Sequence, residues 1–406
     1  MRVLAITKIF PNCLEPSSAP FNRLQFAALG GLCELEVMAT IPWFPGAAAF
    51  GRWSSTGRLA GVPKEEQIDG LAVRHPRYAY LPKFGHGLAG YLYAASLAGA
   101  VLRQQGSFDA LLGSWAYPDG FATVKLAALL GVPAVVKVHG SDLNVLSKLA
   151  GPRRRIEWAL SHAARVVAVN RPLAERAVAL GADPDRVDVV PNGVDREVFH
   201  PRNRREARHS LGVKGDGPLV LFVGHVTEAK GAFDLVRAFA AAGRALRETQ
   251  LVLVGDGAGK AACAALAQEL AVDARFVGAE THERIPTWLA ACDVLALPSW
   301  NEGTPNVVLE ALACGRRVVA TSVGGIPDVV TSEALGALVP PRDPAALAAA
   351  LRVAVATPYD PDAVARALPN PTWAGSAELL HRSLLSALEV RARAARAPIR
   401  SELQVA

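Results

Sequence analysis

Cysteine is scarce and unpatterned. The five in 406 residues, Cys13, Cys33, Cys263, Cys292 and Cys314, are odd in number, scattered, and without C-x-x-C or Cys/His spacing. That excludes a disulfide framework and a zinc module as organising devices, and it fits buried thiols in a reducing compartment. Low-complexity repeats and nucleic-acid-binding motifs are also missing. The net charge of +6 is therefore too diffuse to mark a nucleic-acid partner, and suits acidic ligands or an anionic surface instead. The opening stretch MRVLAITKIFPN runs straight into a strand-like segment, with no long apolar region and cleavage site, so secretion is not expected and the protein is placed in the cytoplasm.

Long hydrophobic runs are limited to one. Residues 84–102, FGHGLAGYLYAASLAGAVL, carry no formal charge and approach spanning length. Gly85, His86, Gly87, Gly90, Ser96 and Gly99 dilute the stretch, so its second half reads as a buried helix. Carboxylate clusters are equally sparse. The triplets Asp183-Pro184-Asp185 and Asp360-Pro361-Asp362 have proline in the middle and read as turns or helix starts, so neither an essential metal nor a cofactor is expected.

What is present is a globular composition, 51% apolar and 20% charged, in a chain long enough for two domains with large cores. Short β-branched runs alternate with alanine- and leucine-rich helical stretches. VLAITKIF, ELEVMATI, ALLGSW, AVVKVHG, RVVAVN and RVDVVPNGVD form a first series; LVLFVGHV, QLVLVGDG, ARFVGA, DVLALPS, RRVVATSVGG and GALVPPRD form a second. The alternation predicts βαβ units and parallel sheets buried on both faces. The polar connection at 192–218 places the join near residue 200, giving domains at 1–200 and 201–375, with 376–406 a C-terminal helix ending in a basic tail.

Several motifs carry chemistry. In NEGTPNVVLEALACG, residues 301–315, Thr304 and Pro305 suit a helix cap and first helical position, leaving Glu302 in the preceding loop. Glu310 then falls in the second turn among apolar residues, where a buried carboxylate needs a partner. Free amides between Gly303 and Val307 make an anion site at that helix start, so a ligand with phosphate there and hydroxyls at Glu310 is coherent; an arginine partner for Glu310 is the alternative. Lys230 stands before a helix start, where the dipole disfavours it unless an anion is present, or it is a solvated loop lysine. LVLVGDGAGK has its glycines in the order G-x-G-x-G and reads as a tight turn rather than a dinucleotide fingerprint. His139 ends a strand and turns through Gly140 into Ser141 and Asp142, so it either faces a ligand crevice or is structural. VVPNGVD, with Asn192, is a ligand-facing turn or a hinge.

In this order, VHGSD, VPNGVD, VGHVTEAKG, LVGDG, DVLALPSWNEGTPNVVLEALACGRRVVATSVGGIPDVV and LVPPRDPAALAAAL, the chain resembles the retaining, nucleotide-sugar-dependent glycosyltransferases of family GT4, glycosyl transferases group 1. The resemblance implies an α/β GT-B fold: two Rossmann-like, doubly wound parallel-sheet domains facing a central cleft, acceptor on the first and donor on the second. It implies that Glu310 binds ribose hydroxyls, Glu302 the donor sugar, and Lys230 the diphosphate. Gly303, Thr304, Pro305, Asn306 and Val307 contact sugar and phosphate, Val277 and Gly278 lie against the base, and His139 lies beside the reacting sugar. Catalysis then rests on His139, Glu302 and Lys230, without metal. Trp373 marks a segment that crosses back to the first domain.

Two positions depart from that family. His225, after Gly224 of the phosphate loop, stands where arginine is usual, and Ala19 stands on the acceptor side where glycine is commoner. The expected activity is metal-independent hexosyl transfer, with retention, from a UDP- or GDP-linked sugar to a glycan or lipid-linked acceptor of cell-surface polysaccharide. An epimerase, a phosphorylase and a non-catalytic sugar-nucleotide-binding subunit remain alternatives. PWFPG, GRWSSTGR, RHPRYAYLPKFGHG and GPRRRIEW interleave aromatic and basic residues, as ordinary loops or as a peripheral contact with the inner face of an anionic membrane.

Overall fold

The computed structural model describes residues 1–16, 18–51, 54–80, 88–369 and 372–396. The start of the 84–102 run, parts of the aromatic and basic segments around 52–53 and 81–87, and the tail beyond 396 lie outside the described residues. All twelve runs read from the sequence are strands. They are β1 (Arg2–Thr7), β2 (Glu34–Ala39), β7 (Ala110–Ser114), β8 (Ala134–Val138), β9 (Arg165–Ala168) and β10 (Val187–Val189), then β11 (Leu219–Val223), β12 (Gln250–Val254), β13 (Ala274–Gly278), β14 (Val294–Leu297), β15 (Arg317–Thr321) and β16 (Gly336–Val339). Four short strands were not legible in the pattern: β3 (Ile41–Trp43), β4 (Glu65–Ile68), β5 (Leu71–Arg74) and β6 (Arg77–Ala79).

Two compact units result. The first takes Met1–Val169, Leu173–Val190 and, from Ala374, the C-terminal helix; the second takes Asn170–Pro172 and Pro191–Trp373. Residues 191–200 belong with the second because Val194 and Phe199 are buried in its core. The first unit has a sheet in the order β10-β9-β8-β7-β1-β2-β5-β4, parallel except for the β4–β5 pair. The second has the all-parallel order β13-β12-β11-β14-β15-β16.

Both faces of the first sheet are covered, which is why its strands read as unbroken apolar runs. Leu4 and Ile6 of β1 and Val136 and Val138 of β8 pack with the helices Ala89–Leu102, Phe121–Leu130 and Ala150–His162 on one face. Val3, Ala5 and Val135 face the other way, toward Phe26 and Leu29 of the helix Pro20–Gly30 and Ala377, Leu380, Leu384 and Ala387 of the helix Trp373–Arg396. The second half of the 84–102 run is the helix Ala89–Leu102, buried through Tyr93, Ala94, Leu97 and Val101. No helix among the described residues is long and apolar enough to cross a membrane. Asp183 and Asp360 cap short helices by accepting from the amides of Asp185 and Asp362, the role expected of the Asp-Pro-Asp triplets.

Candidate functional site

In the second unit, the polar chemistry gathers where β11, β13, β14 and β15 end. The loop after β11 carries Gly224, His225 and Lys230; the loop after β14 carries Glu302 and Gly303. Gly231, at φ +73°, lets these two loops touch: a Cβ there would lie 1.9 Å from the Pro298 carbonyl oxygen. Trp300 reinforces the contact, its amide donating to Ala229 O at 2.9 Å and its indole N–H to Asp234 Oδ2 at 2.7 Å. Lys230 Nζ consequently reaches Glu302 Oε1 at 2.7 Å, with Glu302 buried and Lys230 about a third exposed. This pair joins two residues assigned separately to diphosphate and sugar.

A second glycine contact supports Glu302 from behind. Gly324, at φ +54°, brings the loop after β15 so close that a Cβ would meet Glu302 O at 2.1 Å, and Gly325 N donates to Gly303 O at 2.7 Å. The helix that follows begins one residue later than expected. Its cap position is Pro305 and it spans Asn306–Ala313, with no side-chain cap. Thr304 is turned to Asn170, whose Nδ2 lies 3.3 Å from its Oγ1, while Asn192 Nδ2 donates to Asn306 Oδ1 at 2.9 Å. Pro305 has no N–H. The amides of Gly303, Asn306 and Val307 donate to no group among the described residues, which leaves them free for an anion.

Glu310 stands in the second turn of this helix, half-buried, and takes part in no hydrogen bond or ion pair among the described residues. No arginine among the described residues pairs with it. Burial alone pushes its carboxyl up to about 8. At the segment expected to meet the base, β13 shifts register so that Gly278, rather than Val277, pairs with Val254, and Gly278 O accepts from Gly255 N at 2.7 Å. The glycines of GDGAG serve backbone packing: a Cβ on Gly255 would meet Gly224 O at 1.9 Å. His225 is exposed.

In the first unit, His139 directly follows β8, and its tautomer can be read from its neighbours. Asn22 Nδ2 donates to Ile9 O at 2.9 Å, so Asn22 Oδ1 accepts the Ser114 hydroxyl proton, also at 2.9 Å. Ser114 Oγ must then accept from His139 Nε2–H at 2.8 Å, leaving Nδ1 as a bare acceptor. Burial, and then the charge of Lys137, hold the imidazole well below its usual range, so it is neutral. Lys137 itself is buried and pushed down to about 7. Asp142 fixes the turn by accepting from the amides of Ala116, His139, Gly140 and Leu143. Ala19 holds the left-handed conformation, φ 43° and ψ 56°, at the start of the helix Pro20–Gly30, and two residues on the Phe21 ring packs 4.9 Å from the His139 ring. The conformation a glycine would favour is thus retained by alanine. Asn22, Ser114 and Trp115 escaped the sequence reading, although the strand-end rule that singled out His139 applies equally to Ser114 and Trp115 at the end of β7.

A family profile described as Glycosyltransferase Family 4 matches residues 56–198, and one described as Glycosyl transferases group 1 matches residues 217–357. The chain belongs to this glycosyltransferase family. The glycosyltransferase is 29% identical over 359 residues to the putative teichuronic acid biosynthesis glycosyltransferase TuaC of Bacillus subtilis, covering 86% of this chain and 88% of that one. It is 34% identical over 261 residues to a D-inositol 3-phosphate glycosyltransferase of Paenarthrobacter aurescens, covering 61% of this chain and 64% of that one. Among solved structures, Anabaena HepE in complex with UDP superposes with a TM-score of 0.68 at 18% identity over 97% of this chain and 98% of that one. The fold is GT-B.

The isolated carboxylate of Glu310 has a measurable consequence in the nucleotide-free glycosyltransferase. Its folded pKa lies above the ordinary carboxylate value of 4.5. The folded chain therefore keeps a proton that the unfolded chain releases, and stability falls as pH rises from about 4.5 through about 8. Glu310→Gln is expected to remove that fall and, since partial exposure moderates the shift, to stabilise the second unit by on the order of 2 kcal/mol at pH 8.5 with little change at pH 5. Denaturant titrations at both pH values check this; parallel pH dependence in the two proteins contradicts it.

Proposed function

We propose that this glycosyltransferase moves a hexose, with retention and without a metal, from a UDP- or GDP-linked sugar to a glycan or lipid-linked acceptor of cell-surface polysaccharide. The observation that carries the reading is the unpartnered, half-buried Glu310 carboxylate on a helix whose first amides are free. Ribose hydroxyls supply the donors that Glu310 lacks, while Lys230 and the amides of Gly303, Asn306 and Val307 take the diphosphate. The bulged Val277 and Gly278 lie against the base. UDP comes first because HepE, of the same fold, is solved in complexes with UDP and UDP-glucose, and a polysaccharide product accords with the likeness to TuaC, a putative teichuronic acid biosynthesis glycosyltransferase.

In the reaction, Lys230 and the helix amides stabilise the departing diphosphate as negative charge builds on it, the role of preorganised donors around a developing anion. Lys230 sits against Glu302, which supports a reading in which a carboxylate stands beside the phosphate-binding lysine and accepts from a sugar hydroxyl. Neutral His139 offers Nδ1 as an acceptor for a hydroxyl of the reacting sugar. The leaving phosphate oxygen takes the acceptor's proton, so no glutamate is assigned as a base.

Aromatic and basic side chains on the first unit suit a membrane-borne acceptor. Lys125 Nζ lies 4.2 Å from the Trp158 ring centre and 5.6 Å from that of Tyr91, which Arg155 also approaches at 5.5 Å. Leu88 and Tyr91 are exposed, as is Leu129, one helical turn beyond Lys125, and Arg154 extends the charge. Such a mixture favours the interface of an anionic bilayer.

Thermal shifts across UDP, GDP and their sugars, without metal, test the donor site, since a ligand of the folded state raises apparent stability. A selective shift, lost in Glu310→Ala and Lys230→Ala, is expected; sensitive titrations that detect no nucleotide binding at all would contradict the assignment. For the membrane face, the protein should float with phosphatidylglycerol vesicles and not with phosphatidylcholine vesicles, and a Lys125→Glu, Arg154→Glu double variant should stay behind. Equal flotation of variant and wild type removes that face from the account.

A further inference from the structure

Three neighbouring strands of the first unit, β1, β7 and β8, are followed directly by Lys8, Trp115 and His139. They place a cation, an indole and a neutral imidazole side by side. Trp115 and His139 rings stack at 5.9 Å with 26° between their planes, and Lys8 Nζ lies 5.7 Å from the Trp115 ring centre. Ligands of parallel α/β sheets bind outside the carboxyl ends of the strands, and these three residues occupy that edge.

Two features of this row serve no evident purpose within the fold. Lys8 is exposed, and its Nζ makes no ion pair or hydrogen bond among the described residues. The acid whose charge bears on it, Asp119, is fully buried, its Oδ1 accepting from the Lys8 amide and the Tyr93 hydroxyl and its Oδ2 without a hydrogen-bond partner among the described residues. Trp115 adopts φ 125°, a conformation that non-glycine residues rarely hold, and is pinned there by its amide donating to Lys137 O at 2.9 Å and by its carbonyl accepting from Gly120 N at 2.8 Å. Its indole N–H is buried without an acceptor among the described residues, so no hydrogen bond among them explains the ring's position. Strain of this kind persists where the surroundings over-determine it, and it concentrates at ligand sites.

We propose that this row is an acceptor subsite for a sugar bearing a negative charge, with Lys8 taking the acidic group and Trp115 lying against the ring. The proposal rests on the transferase reading for the sugar being an acceptor, but not for the binding itself. An indole face covers the apolar C–H face of a pyranose, and the ammonium beyond it pairs with a carboxylate or phosphate. Acidic acceptors are selected over neutral ones because a neutral sugar leaves Lys8 unmatched.

The test is a set of saturation-transfer NMR titrations of the full chain with glucuronate, glucose 6-phosphate and glucose, each run with and without UDP. At least one acidic probe is expected to bind about tenfold more tightly than glucose, the scale of a charge-assisted contact. Which acid binds separates a uronate from a phosphosugar. Lys8→Met should remove the preference, Lys8→Arg should keep it, and Trp115→Phe should weaken acidic and neutral sugars alike. Circular dichroism establishes that the variants are folded. Equal binding of all three probes, binding of neither acid, an acidic preference that survives Lys8→Met, or displacement of the acid by UDP would each overturn the subsite. Failure of UDP to bind would remove UDP as the donor nucleotide instead, and the arms without nucleotide would still decide this one.

Discussion

A parallel sheet covered by helices on both faces has no room for polar chemistry except at the ends of its strands. Everything functional in this glycosyltransferase follows from that constraint. Within the strands the side chains alternate between two apolar layers, and the exceptions are few: Lys137 alone among the β8 residues is charged, and it is buried beside Gln25 of a covering helix. At the carboxyl ends, by contrast, each strand hands over to a loop that carries a cation, a carboxylate, a histidine or a glycine at close backbone contact.

Glycine is what lets those loops meet. Gly231 against Pro298 and Gly324 against Glu302 bring three loops of the second unit to the distances at which Lys230 and Glu302 pair. A methyl group at either position would separate them. The first unit relies on hydrogen bonds instead: the Asn22–Ser114–His139 chain sets which nitrogen of the imidazole carries the proton, and Asp142 clamps the turn that aims the ring. In each unit, the supporting contacts leave a charged side chain of the site without an ion pair or hydrogen bond among the described residues: Glu310 in the second, and in the first Lys8, which lies against the Trp115 ring.

Much of this was legible in sequence, for identifiable reasons. The twelve principal strands were visible because burial on both faces makes them continuous apolar runs, and Glu310 stood out because a carboxylate in an apolar helical turn contradicts its surroundings. The four short strands were not visible. β4, at the sheet edge, has the pattern of a half-exposed strand with charged residues, and β3 and β6 are three residues long. The helix start was misjudged by one residue because Thr304, a good cap by composition, is engaged by Asn170, which is far away in sequence. The Lys230–Glu302 pair and the Ser114–His139 contact are likewise products of tertiary approach, to which residue type and spacing give no guide. Trp115 and Lys8 lay in plain view at strand ends, and went unremarked because neither belongs to a recognisable motif.

The central claim is that Glu310 is protonated while the site is empty and becomes an ionised acceptor when a nucleotide's hydroxyls reach it. Calorimetric titration of UDP at pH 7, repeated in buffers of different ionisation enthalpy, counts the protons exchanged on binding. The account predicts release approaching one proton per nucleotide, diminishing above pH 8 and absent in Glu310→Gln. Tight binding with no proton release, or the same release from the variant, would contradict it.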